Sequence, residues 1–380
     1  MNILVAPDSF KGSLTAEQFC RQVMTVLKQQ IPDVEVTAMP LSDGGEGWLG
    51  VCQQVFGGET TIEETKGIVG QSLQTPLLRL PDGRIVIEMA SSCGLMQMTA
   101  ATDAFAVSSR GLGEQILQAA RFSPSSIVIG IGGTATNDAG MGALHALGLR
   151  FFDSLGKSLP PALSSLPAID VIDSSGLPAS VSKVPLVLAT DVNNPLIGDD
   201  GAIATYGRQK GLTTDEIGRV DDWIAGFYGK LQRTFPAVIE KSTAGSGAGG
   251  GIAVGLSAVC PVSITSGFDL LADGMALERH FAEGRWQLLL TGEGCFDDQT
   301  ANGKLVQRIG RLAQKNHVPS IALVGQCAGD FLQAAALPVD AVIPIQNGPM
   351  TVQQSVSQAG ELLQQAVGRM LPLLRRLLPS

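Results

Sequence analysis

The sequence predicts an α/β protein of two domains, one built from both ends of the chain and the other inserted between them. Three observations lead to this class. The length of 380 residues exceeds what one ordinary hydrophobic core supports. Strand-like apolar runs alternate with helical periodicity at both ends of the chain, whereas a hairpin signal lies in the middle. Hydrophobic residues make up 44% of the chain and charged residues 16%, so we expect compact folding.

The two ends of the chain show β–loop–α units. Residues 2–6 form an apolar run, and residues 15–30 show helical spacing, with Thr15 and Gln18 placed as a capping box. Further strand-like runs precede helical stretches at residues 34–39, 286–290, 318–324 and 341–345. Because strands that alternate with helices form parallel sheets, we assign 1–60 and 286–380 to one discontinuous Rossmann-like domain with a doubly wound parallel sheet.

The middle of the chain, residues 61–285, predicts an inserted α/β domain with a mixed sheet. Two of its strand-like runs, residues 73–80 and 84–88, are joined by the turn residues Pro81-Asp82-Gly83, which indicate an antiparallel hairpin. A helix around 113–121 and a buried strand at 126–131 follow. We expect the active site in a cleft between the two domains.

Charge and composition exclude several classes of partner. The formal charge of −9 argues against nucleic acids and anionic membranes. The six cysteines form no C-x-x-C pair that would seat zinc or an iron–sulfur cluster. No signal peptide and no apolar run of membrane-spanning length is found, which predicts a cytoplasmic protein. A homodimer remains open.

Five short loops combine glycine with acidic or amide residues, and they lie at residues 6–13, 43–47, 132–138, 248–251 and 292–294. At least three should connect a strand to a helix, where ligands bind at the carboxyl edge of a parallel sheet and helix amides favour anions. Glycine permits close approach of phosphate, and carboxylates tolerate phosphate only across a metal ion. The pattern indicates Mg²⁺ with a nucleotide.

Familiar nucleotide motifs are absent from the sequence. It has no G-x-x-x-x-G-K-[ST] and no protein kinase motif set, and the Rossmann spacing fails because Ala135 stands where a glycine is required. A dehydrogenase is therefore disfavoured. Asp191 follows the apolar run 184–189 and precedes Asn193, Asn194 and Pro195, so it is either a turn-forming residue or a general base.

Taken in order, these segments resemble the class I glycerate kinase family of bacteria. The matching motifs are APDSFKGSL (6–14), SDGGEG (42–47), IEMASSCGL (87–95), IGIGGTATNDAGMG (129–142), DVNNPL (191–196), QKG (209–211), GAGGG (247–251) and LLTGEGCFDDQTANGK (289–304). The resemblance covers essentially the whole chain. It implies transfer of the γ-phosphoryl group of ATP to D-glycerate, usually giving 2-phosphoglycerate, on a two-domain α/β fold.

The resemblance also implies roles for individual residues. Asp191 would act as the base, and Lys11 and Lys304 would neutralise charge. The expected substrate-binding residues are Ser9, Asp43, Asn193 and Arg110. The expected phosphate- and nucleotide-binding residues are Gly132, Gly133, Asn137, Gly247, Gly249 and Gly250. Glu293 and Asp297 are the expected Mg²⁺ ligands, and Asn137 with Asp138 could replace them.

Three positions depart from the family pattern. Cys295 stands where arginine usually follows Gly-Glu-Gly, Leu112 stands where threonine or isoleucine is usual, and Arg208 often corresponds to proline. Losing an arginine removes a bidentate phosphate donor that cysteine does not replace. Two alternatives to a glycerate kinase therefore stay open: a kinase of another small sugar acid, and a degenerate, non-catalytic ligand-binding member of the family.

Overall fold

The computed structural model of the protein describes residues 2–296, 305–327 and 337–377. In these residues the strands, numbered in chain order, are β1 (Asn2–Val5), β2 (Glu35–Ala38), β3 (Glu59–Lys66), β4 (Ser72–Arg79), β5 (Ile85–Glu88), β6 (Ile127–Gly130), β7 (Arg150–Phe152), β8 (Val171–Asp173), β9 (Leu186–Ala189), β10 (Val262–Thr265), β11 (Leu288–Phe296), β12 (Ser320–Cys327) and β13 (Ala341–Pro344).

The α-helices of the same residues are α1 (Ala16–Gln30), α2 (Trp48–Phe56), α3 (Ala90–Cys93), α4 (Arg110–Ala120), α5 (Met141–Ala146), α6 (Ala179–Ser182), α7 (Ala202–Tyr206), α8 (Thr214–Thr234), α9 (Ala248–Ser257), α10 (Gly267–Gly274), α11 (Leu277–Ala282), α12 (Leu305–Lys315), α13 (Val352–Ser357) and α14 (Ala359–Leu377). Short 3₁₀ helices lie at Leu95–Gln97, Leu163–Ala168 and Arg208–Lys210.

The chain divides into two compact units. Unit 1 comprises Met1–Val51 and Phe268–Ser380, and unit 2 comprises Cys52–Gly267. These bounds differ from the sequence-based bounds at residues 60 and 286. The first bound falls within α2, ahead of β3, which is an edge strand of the unit 2 sheet and pairs with β4. The second shifts because α10 and α11 belong to unit 1.

Unit 1 is built on a parallel sheet with the strand order β13-β12-β11-β1-β2. Successive residues of β12 alternate between two apolar layers. Leu323 packs in the layer that contains residues of α1 and α14, and its neighbours Ala322 and Val324 pack in the layer that contains Val306 of α12. Both faces of the sheet are therefore covered, as the doubly wound prediction requires.

The strand order creates a switch point in unit 1. The chain leaves β1 toward β2 on one side of the sheet. It leaves β11, which lies next to β1, toward β12 and β13 on the opposite side. The connections after β1 and β11 diverge in this way, leaving a crevice at the carboxyl ends of the two strands. Open α/β sheets bind their ligands at such a point.

Unit 2 is built on a mixed sheet with the order β10-β9-β6-β5-β4-β3. The strands from β10 to β5 run parallel, and β4 and β3 are antiparallel to their neighbours. The predicted hairpin turn joins β4 to β5, where Leu80 donates its N–H to the Arg84 carbonyl and Gly83 takes a positive φ of 84°. The predicted mixed sheet is confirmed.

Local details confirm one expectation and correct another. The capping box of Thr15 and Gln18 is present at the start of α1. The leucine-rich C-terminal helix buries its apolar side in the unit 1 core, as Leu363 and Leu374 show. The prediction of a loop at 292–294 is wrong, because β11 continues to Phe296 and stays paired with β12.

The extension of β11 explains Gly292. A Cβ at Gly292 would lie 2.1 Å from the Leu323 carbonyl oxygen and would also meet the Phe19 ring. Gly292 therefore permits close packing of this strand. In the described parts of the chain, no helix is long and apolar enough to cross a membrane.

Candidate active site

A charged cluster lies at the switch point of unit 1, and we call Asp8, Lys11, Asp43 and Glu293 the switch-point cluster. Asp8 follows β1, and its N–H bonds to the Gly292 carbonyl oxygen of β11 at 2.9 Å. Lys11 Nζ lies 3.7 Å from Oδ2 of Asp43, which follows β2. Glu293 lies near the end of β11 and is only 6% exposed. The carboxyl ends of three neighbouring strands thus supply the cluster.

The electrostatics tie these four residues together. Burial raises the pKa of Asp8 well above its usual value, and the negative charges of Asp43 and Glu293 raise it further, while Lys11 and the Ser9 N–H oppose the rise. The pKa of Lys11 is raised chiefly by Asp43, with smaller contributions from Asp8 and Glu293. Because the Lys11 side chain is 58% exposed, its ion pair contributes little to folding and its ammonium remains available to a ligand.

Backbone geometry shapes the loop that carries Ser9 and Lys11. Phe10 donates its N–H to Leu14 O at 2.8 Å and accepts a bond from the Ser13 N–H at 2.7 Å, which closes a tight turn. Gly12 lies in this turn with φ 74° and no atom within 4 Å of a hypothetical Cβ, so backbone conformation accounts for this glycine. The Ser9 N–H donates to Asp8 Oδ1 at 2.7 Å.

A cavity of about 340 Å³ opens beside the cluster in unit 1. Asp8, Ser9, Lys11 and Glu293 line it, and so does Cys295, the position at which the sequence departs from the family pattern. Its volume lies in the range of small-molecule sites. The structure therefore brings Ser9, Lys11, Asp43 and Glu293 together, whereas Asp297 and Lys304 lie outside the described residues.

No group of three or more His, Cys, Asp or Glu side chains in the described residues could hold a metal ion. This is compatible with Mg²⁺, which commonly takes one or two carboxylates together with substrate phosphates. Glu293 is placed to serve as such a carboxylate.

The remaining predicted residues lie in unit 2, mostly at the carboxyl edge of its sheet. β6 and β9 are neighbours, with Gly130 opposite Ala189, so the loops that follow them run side by side. The first loop carries Gly132, Gly133 and Asn137, and the second carries Asp191 and Asn193.

The glycine-rich start of α9 packs against both loops. Gly249, Gly250 and Gly251 have φ values of 58°, 71° and 87°, a left-handed turn that disfavours other residues. A Cβ on Gly250 would lie 2.0 Å from Thr136 O, and one on Gly247 would lie 2.2 Å from Pro195 O. Backbone packing thus already requires Gly247 and Gly250, whatever ligand they also contact.

Asp138 anchors the loop after β6. It is 0% exposed, and its carboxylate accepts bonds from the Ser109 N–H (2.8 Å) and hydroxyl (2.9 Å) and from the N–H groups of Gly140 (3.2 Å) and Gly142 (3.1 Å). Burial raises its pKa, and these hydrogen bonds oppose the rise. So many donors indicate a structural role and disfavour Asp138 as a metal ligand.

Asn137 in this loop and Lys210, which contacts the loop from the 3₁₀ helix Arg208–Lys210, are unusual polar residues. Asn137 is 2% exposed, and neither atom of its amide has a hydrogen-bond partner in the described part of the chain. Lys210 is 4% exposed and donates from Nζ to Thr136 O at 2.9 Å. Burial lowers the pKa of Lys210 to about 8, and Asp138 opposes this shift. A buried amide without a partner is costly, so Asn137 is a candidate ligand contact.

The other unit 2 candidates differ in exposure and contacts. Asp191 is half-buried and Asn193 is exposed, both just beyond β9. The Asn194 side chain forms local hydrogen bonds: it donates to Asp200 O at 2.8 Å and accepts from the Tyr206 hydroxyl at 2.7 Å. Arg110 is exposed and pairs with Glu114 on its own helix at 2.8 Å.

Asp8 and Lys210 were not among the residues for which the sequence predicted a role. Both lie inside matching motifs, at residues 6–14 and 209–211, so a sequence signal was present. Their burial could not be read from the sequence, because it depends on strands and loops distant along the chain.

Comparisons with known proteins agree with this architecture. The model of the glycerate kinase family matches residues 3–375. The chain is 32% identical to the glycerate 2-kinase of Escherichia coli K12, over 93% of each chain. It is 31% identical to the glycerate kinase of Bacillus subtilis 168, over 96% of this chain and 95% of the relative. A crystal structure of a candidate glycerate kinase 2 from Salmonella typhimurium LT2 superposes with a TM-score of 0.79 at 31% identity, over 99% of this chain and 98% of the other. The chain therefore belongs to the glycerate kinase family and is an enzyme of the phosphotransferase class.

Proposed function

We propose that this protein transfers the γ-phosphoryl group of ATP to D-glycerate and releases 2-phosphoglycerate and ADP. The observation that carries the proposal is the switch-point cluster, in which an exposed lysine stands among carboxylates beside a cavity, in a chain of the glycerate kinase family. Phosphoryl transfer requires positioning and charge neutralisation, and these are the groups that supply them.

In the proposed reaction a hydroxyl oxygen of glycerate attacks the γ-phosphorus. The bond between that phosphorus and the β–γ bridging oxygen breaks, and ADP leaves with the bond electrons. Asp191 accepts the hydroxyl proton. Lys11 and Lys304 offset the charge of the phosphoryl oxygens, and Ser9, Asp43, Asn193 and Arg110 orient the acid.

Glu293 and Asp297 would hold Mg²⁺, which supplies electrostatic stabilisation of the phosphates when it is bound. Gly132, Gly133, Asn137, Gly247, Gly249 and Gly250 would approach the phosphates. Among these phosphate contacts, the one proposed for Asn137 has the most direct support. A ligand would give its buried amide the hydrogen bonds that the described residues do not. Cytoplasmic location and a homodimer stay predictions.

A coupled assay of ADP release tests the activity. With Mg²⁺ and ATP, we expect release with D-glycerate and weaker or no release with L-glycerate, tartronate or glycerol. Preference for another acid of the panel would identify a kinase of a different sugar acid. Background release with every acid, from folded protein, would contradict the proposal and favour a non-catalytic binding member of the family.

A further inference from the structure

The cavity of unit 1 extends beyond the switch-point cluster. It continues across the carboxyl ends of β12 and β13, where Gln326 and Gln346 line it, to the side chains of α13. Neighbouring strands lie about 4.8 Å apart, so the distance from β1 to β13 across the sheet is about 14 Å. A ligand that reaches from one end to the other is much longer than a three-carbon acid.

The far end of the cavity has a different chemical character from the cluster. Val352 and Val356, one helical turn apart on α13, are 77% and 41% exposed and line it together with Ile345. Two glutamines accompany this apolar wall. Gln346 donates from Nε2 to the Ser355 hydroxyl at 3.1 Å, and Gln326 donates from Nε2 to Cys295 Sγ at 3.4 Å. Neither contact uses the amide oxygen, so with respect to the described residues each glutamine keeps a strong acceptor.

We propose that this far end, formed by Gln326, Gln346, Val352, Ser355 and Val356, binds the base of the nucleotide, with the phosphates directed to Lys11 and Glu293. The inference rests on the proposed function and assigns the nucleoside to unit 1. We call these five residues the base subsite.

Charge and polarity favour a nucleotide over the acid in this cavity. Glycerate is polar over its whole surface and has no apolar part for Val352 and Val356 to cover. A purine offers two apolar faces and a hydrogen-bonding edge, which suit the valines and the glutamine oxygens. At the other end, Asp8 and Glu293 would repel an anion, and a metal ion held by phosphates removes that repulsion.

The test is direct binding of the fluorescent nucleotide mant-ADP with Mg²⁺ to the full-length protein. Val352→Glu should raise the dissociation constant by about tenfold or more, because a base would then face a charge it must desolvate. The fold should survive, since Val352 is 77% exposed and an acidic residue suits the first turn of a helix. Val352→Leu should bind within about twofold of wild type, because it preserves the apolar wall.

Val171→Glu is the matched control, because Val171 is 50% exposed on β8 in unit 2 and outside every candidate site. It should bind mant-ADP as wild type does. In turnover assays Val352→Glu should raise KM for ATP and leave KM for D-glycerate unchanged.

Three results overturn the subsite: no mant-ADP binding by wild type, unchanged binding by both Val352→Glu and Val356→Glu, or an equal loss in Val171→Glu. The proposed function fails separately. Suppose that wild type binds mant-ADP and that Val352→Glu weakens this binding while Val171→Glu does not, but that no acid is phosphorylated. The base subsite is then supported and the proposed activity is not. If D-glycerate is phosphorylated and Val352→Glu keeps its KM for ATP, the activity stands without the subsite.

Discussion

At the scale of single residues, Cys295 occupies a consequential position. It lines the cavity that contains Lys11 and Glu293, and among the described residues its thiol receives only the weak hydrogen bond from Gln326. The family pattern has arginine here. Arg110 forms an ion pair with Glu114 on its own helix. Its contacts in the described residues give no indication that its guanidinium replaces the positive charge of the missing arginine.

We therefore predict that Cys295→Arg raises kcat. The gain should correspond to one charge-assisted contact with the transferring phosphoryl group, about 1.5–3 kcal/mol at most. Cys327→Arg is the control, because Cys327 is exposed at the end of β12 and does not line the cavity. The measurement is kcat and KM of both variants from steady-state kinetics. Unchanged kcat and KM in Cys295→Arg would mean that the phosphates bind elsewhere.

Lys210 predicts a pH dependence of stability. Its pKa is lowered by burial from 10.5 to about 8, so between these values the unfolded chain binds a proton that the folded chain does not. The free energy of unfolding therefore rises with pH in this window, and below pH 8 the cost of the buried charge is fully present.

The expected signal is the difference in unfolding free energy between wild type and Lys210→Met, measured in urea. The unfolding free energy of wild type minus that of Lys210→Met should rise by about 2 kcal/mol between about pH 7.5 and 9.5. A difference that stays constant over this range would show that the Lys210 amine does not titrate there.

At the scale of elements, strand ends were predictable and strand lengths were not. The loops after β1, β2 and β6 carry the glycine and carboxylate residues that the sequence placed at a sheet edge. β11 is longer than expected because pairing with β12 holds residues 292–294 in the strand, a tertiary effect that no local pattern reports. Helix α8 begins with a capping box of Thr213 and Glu216, a sequence signal that was not among the predictions.

The turn at the start of α9 supplies a prediction about stability. Gly250→Ala would place a methyl group 2.0 Å from Thr136 O at a φ of 71°, so we expect a loss of about 3 kcal/mol or more. Gly226→Ala in α8 is the matched control, since nothing lies within 4 Å of its Cβ position, and it should gain about 0.5–1 kcal/mol.

Thermal or urea unfolding without nucleotide measures both glycine variants. Normal stability in Gly250→Ala would contradict the packing account of this turn and would leave phosphate approach as the reason for the glycine.

At the scale of the whole molecule, alternating strands and helices sufficed to predict the fold class and the discontinuous sheet of unit 1. The bounds of the units differ from the predicted ones because β3 pairs with β4 in the unit 2 sheet and because α10 and α11 belong to unit 1. Candidate residues could be placed on sheet edges, since parallel strands end together. The burial of Asp8 and the amide of Asn137 could not be anticipated, because both follow from side-chain packing between distant segments.

Phosphorylation of D-glycerate can be observed directly by ³¹P NMR of the products formed from D-glycerate and ATP with Mg²⁺. We expect the signals of ADP and of a phosphomonoester whose coupling to a single proton places the phosphate on carbon 2. Coupling to two protons would place it on carbon 3 and correct the proposed product. Unchanged ATP with no phosphoglycerate, from folded protein, would contradict the claim itself.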